Sequence, residues 1–242
     1  MKKIVRHFFV ALLFLQVAPS AKAQPQFSGW LASFNTFKVN RRFSLHLDVQ
    51  LRSTDELRQV QTILLRPGLN FHAGKSFILT AGYAFINNRR AVNGISGLLP
   101  EHRIWQQGLF NHKVKNTAIA HRIRFEERFI SKAKLANNEV ETEGHNQAFR
   151  IRYFIRSVIP LTTRPSFPGG FFLALQNEVF LNTGNKSAVN GKGFDQNRLY
   201  GAVGYRLPNK VDLEAGYMNQ YISARTSFTN NHIAQIAVYK RL

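Results

Sequence analysis

Arginines set two residues apart are the side chains of this chain best suited to chemistry. Arg122, Arg124 and Arg128 lie opposite Ile123, Phe125 and Phe129 on any extended backbone, and Arg150, Arg152 and Arg156 lie opposite Ile151, Tyr153 and Ile155. Arg103 and Arg198 join them, and Glu101, Glu126, Glu178 and Glu214 supply carboxylates of matching parity. A guanidinium is planar, stays charged when desolvated and donates through a fork that fits a carboxylate or a phosphate. If these groups share one enclosed face, eight guanidiniums meet four carboxylates and the face stays positive. The expectation is first a charge ladder that fills and stiffens a narrow interior, and second a site for a small anionic solute. Gln107, with Gln176, Gln196 and Gln220, extends the same network.

Other chemistry is sparse. The chain has no cysteine, which removes disulfides, Cys-ligated zinc, iron–sulfur clusters and cysteine nucleophiles. It has no His-Glu-x-x-His, Walker loop, Gly-x-Ser-x-Gly or Gly-x-Gly-x-x-Gly, and Gly191-Lys192-Gly193 reads as a loop. The eight histidines are scattered, none paired at metal-ligand spacing, so neither a metal nor a cofactor is expected. A hydrolase assembled from loops around His102, His121 or His145 with a serine is the enzymatic alternative, but no motif supports it. The expectation is a protein that is not an enzyme.

Two-faced strands would hold those arginines on one face. In Phe43 to Arg52 the apolar residues Phe43, Leu45, Leu47, Val49 and Leu51 alternate with Ser44, His46, Asp48, Gln50 and Arg52. Period two means a strand with one apolar and one polar face. Ile63, Leu65, Leu69 and Phe71 oppose Thr62, Arg66 and Asn70 in the same way, and Phe77, Leu79, Ala81, Tyr83 and Phe85 share the next apolar face. Further strands are expected near 27–38, 101–113, 170–183, 194–207, 210–222 and 230–242. These segments exceed the roughly five or six residues usual in soluble strands and approach the roughly 9–11 that cross a bilayer at a tilt.

Short connections near 39–42, 72–75, 113–116, 162–169 and 208–209 alternate with longer ones near 53–59, 89–100, 131–145, 184–193 and 223–229. That alternation is the habit of outer-membrane barrels, whose long loops face outward. Aromatics at strand ends (Trp30, Phe71, Phe77, Phe129, Phe171, Phe172, Tyr221) fit an interfacial girdle. The fold expected is an all-β transmembrane antiparallel β-barrel, an up-and-down meander of about 10–12 strands. Eleven segments are visible, whereas bacterial single-chain barrels are normally even in number. Segment 27–38, whose direction fits poorly, is then a partial strand or a lumenal segment in a barrel of ten, or a missed strand makes twelve.

The compartment agrees with a barrel. Residues 1–23 carry Lys2, Lys3 and Arg6, then the apolar run Phe8 to Val17, then Ala21-Lys22-Ala23, so a signal peptide cleaved before Gln24 is expected. The run is shorter than the roughly 20 residues of a spanning helix, and no apolar stretch of 18 or more follows. Residues 24–242 show no linker and are read as one barrel domain. Removing the leader's four cations from 33 leaves 29 against 13 acids, an excess of 16. Such charge calls for an anionic partner, and export together with the even spread of cations points away from nucleic acid and towards lipopolysaccharide or a small anionic solute.

The segments Glu101 to Gln107, His121 to Phe129, Phe149 to Tyr153, Asn177 to Phe180, Phe194 to Arg198 and Glu214 to Tyr217 resemble the family called domain of unknown function 2490, over most of residues 24–242. The resemblance implies an outer-membrane barrel of a Gram-negative bacterium and brings no catalytic residues. Function stays open between a narrow pore or solute-binding barrel, a structural envelope barrel in contact with outer-membrane lipid and lipopolysaccharide, and a hydrolase. The protein should fractionate with outer membranes and migrate faster on gels when unheated; recovery in the soluble periplasmic fraction would contradict the barrel.

Overall fold

The computed structural model describes residues 24–162 and 167–242. The expected signal peptide, 1–23, and residues 163–166 of the connection expected at 162–169 lie outside the described residues. Among the described residues are eleven strands: β1 (Gln24–Lys38), β2 (Phe43–Ser53), β3 (Val60–His72), β4 (Phe77–Val92), β5 (Ile95–Val114), β6 (Thr117–Ala136), β7 (Glu139–Pro160), β8 (Gly170–Thr183), β9 (Phe194–Leu207), β10 (Val211–Ser223) and β11 (Phe228–Arg241). Each strand pairs antiparallel with its neighbour in sequence, and β1 meets β11 to close the barrel.

The count is therefore eleven, neither ten nor twelve. Segment 27–38 belongs to β1, a full strand paired in parallel with β11 from Gln24↔Thr229 to Thr36↔Arg241. The physical reason is plain: an odd meander brings its first and last strands together in the same direction, and a parallel ladder still satisfies the backbone, slightly less favourably than an antiparallel one. The poor directional fit of this segment was real, and parallel pairing resolves it. On its other edge β1 stays paired with β2 up to Trp30↔Arg52. Beyond that point Gly29 N–H donates to Ser53 Oγ (2.8 Å) and Phe27 N–H donates to Asp55 Oδ1 (2.7 Å). Side chains thus continue the ladder where β2 turns away, leaving less open edge.

Alternation sorts the side chains. Leu31, Leu45, Leu51, Ile63, Leu65, Leu69, Leu79, Ile123, Ile151, Leu175, Val203 and Ile236 are exposed on the outer wall. The polar groups there satisfy one another: Tyr83 with His102, His121 Nδ1 with Tyr153 OH at 2.9 Å and Tyr217 OH with His232 Nδ1 at 2.6 Å. The other face looks into the lumen. Trp105, Phe172, Phe180, Tyr200 and Ile233 are fully buried there. Gly68 and Gly82, paired across β3 and β4, make the niche for Trp105: a Cβ on Gly82 would stand 2.6 Å from Trp105 Cζ2, and one on Gly68 2.8 Å.

Two further expectations change. The stretches 89–100 and 131–145 are not long loops: β4 and β5 stay paired to Val92↔Ile95, and β6 and β7 to Ala136↔Glu139. Asn93 and Gly94 (φ 50° and 83°) and Asn137 and Asn138 (φ 49° and 64°) close these hairpins with positive φ at both central residues, as the tightest hairpin turns require. Trp30 and Phe172 are not girdle residues. Both are buried in the lumen, at 6% and 0% exposure, because their parity is that of the inner face, whereas Phe71, Phe77 and Phe171 are exposed on the outer wall.

The parallel seam has a direct test in a chain free of cysteine. Oxidation should join Leu31→Cys to Ile236→Cys and Ser33→Cys to Val238→Cys, the paired positions. It should leave Leu31→Cys with Val238→Cys and Ser33→Cys with Ile236→Cys open; an antiparallel seam centred there would reverse the result, as read on non-reducing gels.

Candidate functional site

The lumenal face of β5 to β8 carries a guanidinium–carboxylate ladder. The pleat places Glu101 and Arg103 on β5, Arg122, Arg124, Glu126 and Arg128 on β6, Arg150, Arg152 and Arg156 on β7 and Glu178 on β8, all directed inward. Register then sets like charges side by side, with Arg103 opposite Arg128 and Arg124 opposite Arg152. Like pairs directly opposite destabilise a sheet unless something bridges them. Glu101 bridges the first, at 2.6 Å from Arg103 Nε and 2.7 Å from Arg128 Nε. Glu126 bridges the second, at 2.6 Å from Arg152 and 3.8 Å from Arg124.

Glu126 is the hub. Its carboxylate also takes Arg150 Nη2 at 2.6 Å and lies 3.5 Å from Arg103, while the residue is 1% exposed. Glu178 accepts from Arg122 (2.6 Å) and Arg152 (2.7 Å), and Glu214 on β10 accepts from Arg156. Gln107 Oε1 accepts two bonds from Arg124, at 3.0 and 2.7 Å, and Gln176 Oε1 accepts from Arg156 at 3.2 Å. Aromatic faces support the cations: Arg124 lies over Trp105 (4.6 Å), and Arg150, Arg152 and Arg198 over Phe180 (5.1, 4.4 and 4.7 Å). Of the expected set, Arg198 stands apart: it faces the lumen but reaches no carboxylate among the described residues.

Sequence reasoning left several lumenal charges out of that set. Asp48 pairs with Arg66 at 3.0 Å, Asp195 with Arg150 at 2.8 Å and Asp212 with Arg206 at 2.7 Å, while Arg52 bonds Gln50. Strand alternation signalled most of them, since Asp48, Arg52 and Arg66 stand on the polar faces of β2 and β3, and Asp212 shares the parity of Glu214. These arginines and aspartates balance one another, and Arg89 and Arg90, which line the lumenal cavity, add to the positive excess. The histidines considered for hydrolysis do not converge on the lumen: His121 and His102 bond tyrosines on the outer wall, and the ring of His145 lies 6.0 Å from that of His102.

At the end of the ladder towards the β4–β5 and β6–β7 hairpins, the lumen holds a cavity of about 240 Å³. Nine arginines line it (Arg52, Arg66, Arg89, Arg90, Arg103, Arg128, Arg150, Arg152 and Arg198), against the acids Glu101 and Asp195. Gln61, Gln196, Gln220 and Asn88 add amide donors. The arrangement is a cationic vestibule on a packed floor.

Glu126→Gln should destabilise the folded barrel by about 3–5 kcal/mol, because it strands buried guanidiniums that share one partner. Glu127→Gln, one residue away on the outer wall and bonded to Gln147 at 2.5 Å, should cost about 1 kcal/mol or less. Urea titration of the heat-modifiable folded band compares the two, and equal losses would remove Glu126 from the centre of the network.

An uncharacterized protein of Methylorubrum extorquens is 25% identical over 250 residues, an alignment that covers 98% of this chain and all of that protein. A solved NanC porin aligns with 84% of this chain and 92% of its own, at 8% identity and a TM-score of 0.49. The sequence profile of the proteins of unknown function DUF2490 matches residues 27–231, from β1 into β11. The chain belongs to that family, DUF2490.

Proposed function

We propose that this protein is an outer-membrane barrel, closed at its waist, whose mouth binds small anionic solutes. The apolar outer wall and strands of 11 to 22 residues support a place in a bilayer. The protruding hairpins then face the exterior, as long connections do in such barrels, and the vestibule opens to the medium. The observation that carries the reading is the lining of that vestibule, nine arginines against two acids. A concave wall of one sign concentrates counter-ions, and arginine forks give carboxylates and phosphates a defined geometry.

The filled waist supports binding rather than conduction. Narrow barrels whose interiors are packed by side chains leave no water channel, and the buried Trp105, Phe172 and Phe180 occupy that position. Lipopolysaccharide phosphate is the competing anion, and the exposed Lys132 and Lys134 on the β6–β7 hairpin would meet it outside the vestibule.

In planar bilayers the purified protein should show no steady single-channel steps. Calorimetry should record saturable binding of pyrophosphate that weakens as salt is added. Cation-selective steps would show that the vestibule charge does not govern entry, and a protein with neither current nor anion binding would be a scaffold alone.

A further inference from the structure

Two of the arginines that line the vestibule come together at Trp30 without a carboxylate. Arg66, Arg103, Arg122, Arg124, Arg128, Arg150, Arg152, Arg156 and Arg206 each have a carboxylate within 4.0 Å. Among the described residues no carboxylate lies within 4.0 Å of Arg52, Arg198, Arg89 or Arg90, all of which line the cavity; Arg90 is exposed and Arg89 bonds Val60 O and Ser96 Oγ, which sets Arg52 and Arg198 apart. Both instead lie over the ring of Trp30: Arg52 Cζ is 3.9 Å and Arg198 Cζ 4.9 Å from its centroid, and Arg198 is also 4.7 Å from that of Phe180. Their acceptors are carboxamides. Arg52 donates to Gln50 Oε1 at 3.1 and 2.6 Å. Arg198 reaches Gln196 Oε1 only at 3.5 Å, an oxygen that already accepts from Gln220 at 2.6 Å. Arg198 is 9% exposed, and its Nε is buried without a hydrogen-bond partner.

From this geometry we infer that Arg52 and Arg198 form, over Trp30, a subsite for one oxyanion group, a phosphate or a carboxylate. The inference deepens the proposed anion-binding vestibule and rests on it. Two guanidiniums gathered at one ring without a carboxylate repel each other, and an oxyanion between them turns that repulsion into two attractions. A guanidinium has five N–H donors, so both side chains keep hydrogens to give after their amide bonds are made. Gln50 and Gln196 hold the forks in place through neutral oxygens, which orient a cation without cancelling its charge. The subsite lies on β1, β2 and β9 and borders the ladder of β5 to β8, since Arg198 stands opposite Glu178 in the register and shares the ring of Phe180 with Arg150 and Arg152.

Trp30 is also a reporter, since the chain has only two tryptophans and the other, Trp105, lies in the waist. In a Trp105→Phe barrel, pyrophosphate and citrate should each change Trp30 emission saturably. Arg52→Gln or Arg198→Gln should weaken the apparent affinity by about tenfold or more, the scale of one lost charge-assisted hydrogen bond. Lys134→Gln, which removes an exposed charge from the same end, should change affinity less than about threefold. Calorimetry on the unsubstituted protein and on Arg198→Gln makes the same comparison if Trp105→Phe does not fold. Binding seen by calorimetry with Trp30 silent and both arginine variants unaffected would overturn the subsite and leave the vestibule standing. Loss of all anion binding would remove both. A response to lipopolysaccharide micelles but not to free anions would overturn the small-anion assignment.

Discussion

Glu126 and the guanidiniums around it are the interaction on which the rest of the lumen depends. A closed sheet with an apolar outer wall must send its polar residues inward, and in this chain those residues are mostly arginines. Desolvating a guanidinium is costly, and Coulomb attraction offsets that cost only where carboxylates are close and further hydrogen bonds are made. With fewer acids than arginines, each carboxylate has to serve several cations. Glu126 does so for Arg103, Arg124, Arg150 and Arg152 at once, and Glu101 and Glu178 for two each. Aromatic faces supply the remainder of the support, which explains why Phe180 and Trp105 are inside the barrel and why Gly68 and Gly82 leave room for an indole.

Shape follows from the same constraint. Sharing carboxylates draws the arginines of β5 to β8 together and packs their wall, while the apolar cluster of Trp30, Phe172, Tyr200, Met218 and Ile233 fills the other wall. Eleven strands close because the seam between β1 and β11 accepts parallel pairing, and the side chains of Ser53 and Asp55 extend the far edge of β1 where backbone partners end. The barrel therefore carries an arginine-lined cavity at the end of the β4–β5 and β6–β7 hairpins.

The inward direction of the arginines was legible in the sequence because the pleat enforces it: once Ile123 and Phe125 face out, Arg122, Arg124 and Glu126 face in. Which arginine meets which glutamate was not legible, since pairing depends on strand register, and register depends on turns and on bulges such as those at Arg52/Ser53 and Ser131/Ala133. The strand count was legible too, and the rule of even numbers obscured it. Asn93-Gly94 is a strong hairpin signal, yet the stretch around it lacks the apolar alternation of the wall, so it resembled a loop. Trp30 and Phe172 were misplaced because position near a strand end was weighed above parity; Leu31 and Phe171 facing out require their neighbours to face in.

Charge that pairing leaves over carries the most functional information. A lumen built only as scaffold gains nothing from unneutralised buried cations, because each adds repulsion and desolvation cost without a matching attraction. Replacement of Arg52 and Arg198 by neutral side chains would relieve that cost without breaking an ion pair. Instead both are retained at the vestibule floor, steadied by a tryptophan and two glutamine oxygens that leave their charge intact. Nine neighbouring arginines of the lumen show that carboxylates can be supplied wherever the fold uses them internally. Two cations oriented but not neutralised, beside an arginine-lined cavity, are the arrangement on which the proposed binding of an external anion rests.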